Sequence, residues 1–157
     1  MRSSSESFST KLQKSPIICS CSSSLEDRTK DEALPFMKKI AKDPESVQLS
    51  EMEVIYSCDT LCVVEFVMKA KNGFGGYTSS RMQYGRIVYP RAPKVENREK
   101  GFYINIEEEG GGIKTKAREL SQKYSAQGYD DWTEDEWIYQ TATAQQVLYE
   151  AFRDLSH

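Results

Sequence analysis

Leu61-Cys62-Val63-Val64-Glu65-Phe66-Val67-Met68-Lys69-Ala70-Lys71, then Asn72-Gly73-Phe74-Gly75-Gly76, then Tyr77 to Tyr89: these residues decide the fold. Side chains on a strand alternate between its two faces. Cys62, Val64, Phe66, Met68 and Ala70 therefore share one face, which should be core. Leu61, Val63 and Val67 share the other with Glu65, Lys69 and Lys71. That face is apolar at its start and charged towards its end, so only part of it should be covered. Asn-Gly is the strongest short hairpin signal, because both residues tolerate positive φ. Tyr77 to Tyr89 returns as a second long strand, with Met82, Tyr84 and Val88 on its inner face, and Pro90 stops it.

Outward from this hairpin the pattern extends in both directions. Val47 to Tyr56 alternates imperfectly, with Met52, Val54 and Tyr56 on one side, and Ser57-Cys58-Asp59-Thr60 is turn-like. Phe102 to Ile106 is a short further strand. Helical spacing flanks the strands. Leu34, Met37, Ile40 and Ala41 make one apolar face behind a capping box at Thr29-Lys30-Asp31-Glu32, and Asp43-Pro44 ends it. If that helix starts instead at Ser24, Pro35 falls inside and kinks it. Glu107-Glu108-Glu109-Gly110-Gly111-Gly112 reads as a solvated, mobile turn. Ile113 to Ala126 is helical and closed by Gly128. A second capping box, Thr133-Glu134-Asp135-Glu136, opens a last helix. There Trp137, Thr141, Ala144, Leu148, Ala151 and Leu155 are expected to form the packed face. The expected fold class is α+β: an N-terminal helix, an antiparallel β-meander of three to four strands, and C-terminal helices packed on the sheet. It forms a single domain over residues 25–157.

Residues 1–24 differ in kind. Their serine clusters and scarcity of large apolar groups predict a disordered leader. Lys11 and Lys14 precede Pro16-Ile17-Ile18-Cys19-Ser20-Cys21, the order of charges, apolar residues and cysteine found in a bacterial lipoprotein signal. The apolar run is shorter than a normal one, so the leader reads as a degenerate signal or tether, with Cys21 the candidate for lipidation. No stretch has the roughly 18 apolar residues of a membrane span. Membrane contact is expected only through a lipid anchor.

The charge balance, 21 basic against 24 acidic side chains, provides no broad basic field, and nucleic acid is not expected as a partner. The single histidine, His157, is the last residue of the sequence, poorly placed for catalysis or metal binding. The four cysteines, Cys19, Cys21, Cys58 and Cys62, include no Cys-x-x-Cys pair, so no structural zinc site is expected. Cys58 and Cys62 flank three residues, Asp59-Thr60-Leu61, that read as a hairpin loop, and are the candidate disulfide. No catalytic constellation, metal site or cofactor is expected.

Three motifs invite chemistry and resolve into plainer readings. Gly73-Phe74-Gly75-Gly76 lacks the following helix and the lysine-serine pair of a phosphate loop, and reads as a hairpin turn. Its Phe74 either folds back or stays exposed for a partner, and Tyr77 follows it; both are candidate binding residues. Glu107-Glu108-Glu109 lacks the alternating ligands of a calcium loop. Tyr129-Asp130-Asp131-Trp132, continuing to Trp137, gathers acids and aromatics as glycosidases do, but at a helix start, where the macrodipole favours acids. Tyr129, Asp130, Asp131 and Trp132 are the second group of candidate binding residues.

Asp43-Pro44-Glu45-Ser46-Val47, a strand, Leu61-Cys62-Val63-Val64, and Ala70-Lys71-Asn72-Gly73-Phe74-Gly75-Gly76-Tyr77 together resemble a family of small uncharacterised bacterial proteins, often lipoprotein-like, with a Lys-Asn-x-Phe-Gly-Gly-Tyr hairpin. The resemblance covers about a third of the chain; the region after Pro90 lies outside it and the short leader departs from it. It implies an envelope location, periplasmic or lipid-anchored, with a cytoplasmic one as the alternative, and it supplies no catalytic role to carry over. The expected function is that of a non-enzymatic envelope or partner-binding protein. Two alternatives stand beside it: a small-ligand or carbohydrate-binding or hydrolysing protein using residues 124–139, and an accessory or toxin-neutralising interaction protein.

Overall fold

The computed structural model describes residues 24–128 and 131–155. Its centre is a four-stranded antiparallel meander, β1 (Gln48–Ser57), β2 (Leu61–Lys71), β3 (Tyr77–Val88) and β4 (Glu99–Asn105), in the order β1-β2-β3-β4. Before it comes α1 (Leu25–Ile40); after it come the single turn α2 (Ile106–Glu109), α3 (Ile113–Ser125) and α4 (Glu134–Leu155). The class is α+β, with helices on both faces of the sheet.

The phase of β2 explains the two layers. Val64, Phe66 and Ala70 pack with Met82 and Tyr84 against Ala33 and Met37 of α1. Leu61 and Val63 point the other way, and pack with Ile87, Phe102 and Ile104 against Ile113 and Ala117 of α3 and Ile138 and Ala142 of α4. A strand covered on both sides reads as a continuous apolar run, and Leu61 to Val64 are all buried. Further along, Val67 is half-buried and Lys69 and Lys71 are exposed, so the second face is covered only at its start.

Several local expectations are corrected. α1 starts at Leu25, with Ser24 as its N-cap accepting from the Asp27 amide at 3.0 Å; Thr29 is buried inside the helix and donates to the Leu25 carbonyl. The helix runs on through Pro35, at the cost of the amide that Asp31's carbonyl would have accepted. In β1 the pairing slips between Ser50 and Glu53 and again between Val54 and Tyr56. An extra residue reverses the faces. Tyr56 therefore packs with the α3–α4 layer, while Met52 and Val54 pack with the α1 layer. Glu107–Glu109 form the helical turn α2, capped by the Asn105 side chain and ended by Gly110 at φ +77°.

The face of α4 also differs. Trp137 and Thr141 are buried as expected, but Ala144, Leu148 and Ala151 are exposed. The inward residues are Ile138, Ala142, Gln146 and, in part, Tyr149. The reason is the β4 edge. The first half of α4 lies on the Ile104 side of the sheet, whereas Tyr149 reaches the other side and meets Phe36 of α1 at 5.1 Å and Tyr103 at 5.8 Å between ring centroids. A helix crossing a sheet edge must rotate its buried stripe, which a straight heptad reading does not register.

Glu65, the charge inside the most apolar strand, has a structural partner set. Gln83 donates to it at 2.9 Å and, through its own Oε1, accepts from the Ile113 amide at 2.8 Å. Arg81 donates to its other oxygen at 2.6 Å. The pair thus anchors the first amide of α3 to the sheet.

Candidate functional site

The hairpin tip is built by Asn72. Its side-chain Oδ1 accepts from the Phe74 amide at 2.8 Å and the Gly76 amide at 3.2 Å, while its backbone amide donates to the Gly76 carbonyl at 2.7 Å. Asparagine closes loops in this way because its short amide reaches amides two residues on. The expected Asn-Gly geometry is replaced: the positive φ falls at Gly75, +85°, and at neither Asn72 nor Gly73. Phe74 stands at the apex and is 98% exposed.

Tyr77 opens β3 opposite Lys71 and is 50% exposed. Lys69 Nζ lies 5.1 Å and Lys71 Nζ 5.7 Å from its ring centroid, a distance at which the ring quadrupole attracts a cation. A third lysine arrives from the far side of the sheet. Asp43-Pro44-Glu45-Ser46 turns the chain after α1, and Ser46 Oγ donates to the Asp43 carbonyl at 2.8 Å and accepts from the Lys71 amide at 2.9 Å. This docks the end of α1 beside the hairpin, and Lys42 Nζ comes within 4.0 Å of the space a Gly73 Cβ would occupy. Lys42 was invisible to a sequence reading of the hairpin, being 27 to 29 positions from Lys69 and Lys71. The pairing of the two expected residues, Phe74 and Tyr77, on one tip is observed.

Of the second expected group, Asp131 and Trp132 fall among the described residues. Tyr129 and Asp130 lie outside the described residues, as do Cys21 and the rest of residues 1–23. Trp132 is 39% exposed and rests on Trp137 at 4.6 Å between centroids, and Tyr124 is stacked on Trp137 at 5.8 Å. Asp131 and Glu134 are exposed at the helix start. Thr133 and Glu136 complete the expected capping box: Thr133 Oγ1 accepts from the Glu136 amide at 3.2 Å, and Glu136 accepts from the Thr133 amide at 3.0 Å. A shallow cleft of about 220 Å³ opens between α3 and α4, with Trp132 and Glu134 in its wall.

Cys58 and Cys62 are free thiols, one exposed and one buried. The ladder pairs Cys62 with Ser57, leaving Cys58 in the turn, where its amide donates to the Leu61 carbonyl at 2.8 Å. Burial pushes the Cys62 thiol up.

A polar cleft of about 210 Å³ lies between α1, β4 and the end of α4. In its wall Glu99 accepts from Arg28 at 2.7 Å and from Arg86 at 2.6 Å, and Arg86 donates to Tyr84 Oη at 2.7 Å. Burial pushes the Glu99 carboxyl up, but the hydrogen bonds and charges of the two arginines outweigh it and hold it below the usual carboxylate range. Gln146 borders the same cleft, 5% exposed, and its Oε1 has no hydrogen-bond partner among the described residues. Among the described residues no group of histidines, cysteines and acids is placed to hold a metal ion, and no helix is long and apolar enough to cross a membrane. Comparison with family models, curated proteins and solved structures found no match.

Proposed function

We propose that this is a non-enzymatic binding protein of the bacterial cell envelope whose contact element is the β2–β3 hairpin tip. The observation that carries the reading is the 98% exposure of Phe74 on a turn fixed by four hydrogen bonds from and to Asn72. An apolar ring at that position contributes nothing to the core. It does present a large apolar surface whose backbone is already ordered, so burying it in a complex costs little further entropy. Tyr77, held by two lysines, widens the same surface. The envelope location rests on the resemblance of the hairpin segment and on the order Lys11, Lys14, Ile17-Ile18, Cys21 in the leader.

The experiment is site-specific photo-crosslinking in native cells, with a photoreactive residue at position 74 and, as control, at the solvent-facing position 122. The reading expects crosslinks from position 74 well above the control, in the envelope fraction. Equal labelling from the two positions, or a chain confined to the soluble cytoplasmic fraction, would overturn it.

A further inference from the structure

Resting on that reading, we infer that the surface the hairpin tip contacts is an anionic lipid bilayer. The argument is one of composition and placement. From Phe66 to Ser80 the only charged side chains are Lys69 and Lys71. Lys42 joins them across the tip; Lys38 lies a turn further back in α1, and Lys39 lines the polar cleft with Glu32 and Glu99. The acids beside Lys42, Lys69 and Lys71 are Asp43 and Glu45, so the tip itself carries a small positive excess although the whole chain is −3; Glu51, Glu53 and Glu107 lie further back, around Arg81. Of the other acidic runs, Glu107–Glu109 on α2 reaches the hairpin at the Arg81 amide, two residues behind the Lys69–Ser79 pair, and Glu134–Glu136 starts α4.

Each component has a place in a bilayer interface. Phe74 is almost fully exposed, with Gly73, Gly75 and Gly76 leaving the backbone around it bare. A ring on a bare tip can enter the acyl boundary without dragging polar side chains with it. Tyr77 sits a step behind, at the depth where aromatic rings with a polar end are favoured. Lys69 and Lys71 on one side of the tip and Lys42 on the other are long enough to extend to headgroup phosphates while their stems stay apolar. A protein pocket for Phe74 would need no such collar of lysines on both sides. An anionic lipid surface attracts all of them at once.

The test uses the full chain with Cys21→Ser, so that no lipid is attached, and measures co-sedimentation with vesicles of phosphatidylglycerol and phosphatidylcholine against phosphatidylcholine alone. Binding is expected only to the anionic vesicles and is expected to fall steeply in about 1 M salt, where charge interactions are screened beyond about 3 Å. Phe74→Ser should weaken it about tenfold or more, through the lost apolar insertion. Lys69→Gln with Lys71→Gln should weaken it about 25-fold, at about fivefold per lysine near an anionic surface. Both variants change exposed side chains, and an unaltered melting temperature will confirm that they fold. Absence of vesicle binding, equal binding to zwitterionic vesicles, or indifference to both variants would overturn the lipid inference. If position 74 nonetheless crosslinks a protein in native cells, the proposed function survives with a protein as partner; if it crosslinks nothing, both fall.

Discussion

The ring of Phe102 stands where a side chain at Gly85 would begin. The two residues are paired across β3 and β4, and a Cβ on Gly85 would lie 2.5 Å from Phe102 Cε1 and 3.1 Å from Val63 Cγ2. The strand gives up a side chain so that the aromatic one can lie flat over it, in the layer facing α3 and α4. Gly85→Ala should destabilise the protein by about 1–3 kcal/mol through overpacking. Adding Phe102→Leu to the same chain should recover part of the loss. A urea midpoint unmoved by Gly85→Ala would mean that the ring turns aside freely.

Gly75 and Gly76 should respond differently to the same change. Gly75 has φ +85° with nothing within 4 Å of its missing Cβ, so a substitution there meets backbone strain alone. Gly75→Val should cost about 1–3 kcal/mol, and Gly75→Asn less, since asparagine tolerates the left-handed region. Gly76 has an ordinary φ, and its nearest neighbour is Asn72 Nδ2 at 3.6 Å. Gly76→Val should therefore shift the melting temperature far less than Gly75→Val. Equal shifts would contradict the turn geometry.

Stability should fall in acid by way of Glu99 and Glu65. Burial pushes the Glu65 carboxyl up, while its hydrogen bonds from Gln83 and Arg81 outweigh that and hold it low, as the arginines do for Glu99. A carboxylate whose folded pKa is depressed stabilises the fold above its unfolded value, about 4.3 for glutamate. That contribution is lost as the pH drops from there through the folded pKa. Unfolding midpoints measured between neutral pH and acid should decline for the native chain, and the decline should be shallower for Glu99→Gln. Parallel curves would show that the Arg28 and Arg86 contacts add no net stability.

Gln146 offers the opposite kind of test. Its buried Oε1 is unpartnered among the described residues, and a buried acceptor without a donor costs about 1–3 kcal/mol. Gln146→Met keeps the length and removes the polar atoms, so stability should be unchanged or rise by about 1 kcal/mol. A loss of more than about 2 kcal/mol would mean that the amide is well bonded in solution.

The two thiols of the β1–β2 turn should separate kinetically. In a chain with Cys19→Ser and Cys21→Ser, a thiol reagent should modify exposed Cys58 promptly and buried, less acidic Cys62 only on unfolding. Protein from native cells, kept from reductant, should react with one equivalent when folded and two when denatured. No reaction in the denatured state would establish the disulfide that the short spacing suggested.

The hairpin was legible in the sequence because it is governed by local rules. The phase of β2 assigned Val64 and Phe66 to one layer and Leu61 and Val63 to the other, and the fading of that second face towards Lys69 and Lys71 is observed. What escaped depends on partners distant in the chain. Glu65 looked like an interruption because its partners Gln83 and Arg81 lie on the neighbouring strand, and Gln83 is itself fixed by the Ile113 amide only once α3 is docked. Tyr56 was placed on the wrong face because a one-residue bulge leaves no mark in a period-two pattern. The stripe of α4 was drawn straight, and the helix turns across an edge. At the candidate site, Phe74 and Tyr77 were readable from the turn, whereas Lys42 reaches it only through Ser46's contact with Lys71.

The contact between Phe36 and Tyr149 joins the first helix of the domain to its last. During synthesis the N-terminal part emerges first, at about 5–20 residues per second. The β2–β3 hairpin can form as soon as it leaves the ribosome, since its contacts are local. The layer containing α1 cannot be sealed until Tyr149, in the second half of α4, has been made. Until then the rings of Phe36 and Tyr103 lack one of their neighbours, and apolar surface left open in this way is what chaperones bind. A chain truncated within α4 should thus be an efficient substrate for quality control, whatever the condition of its sheet.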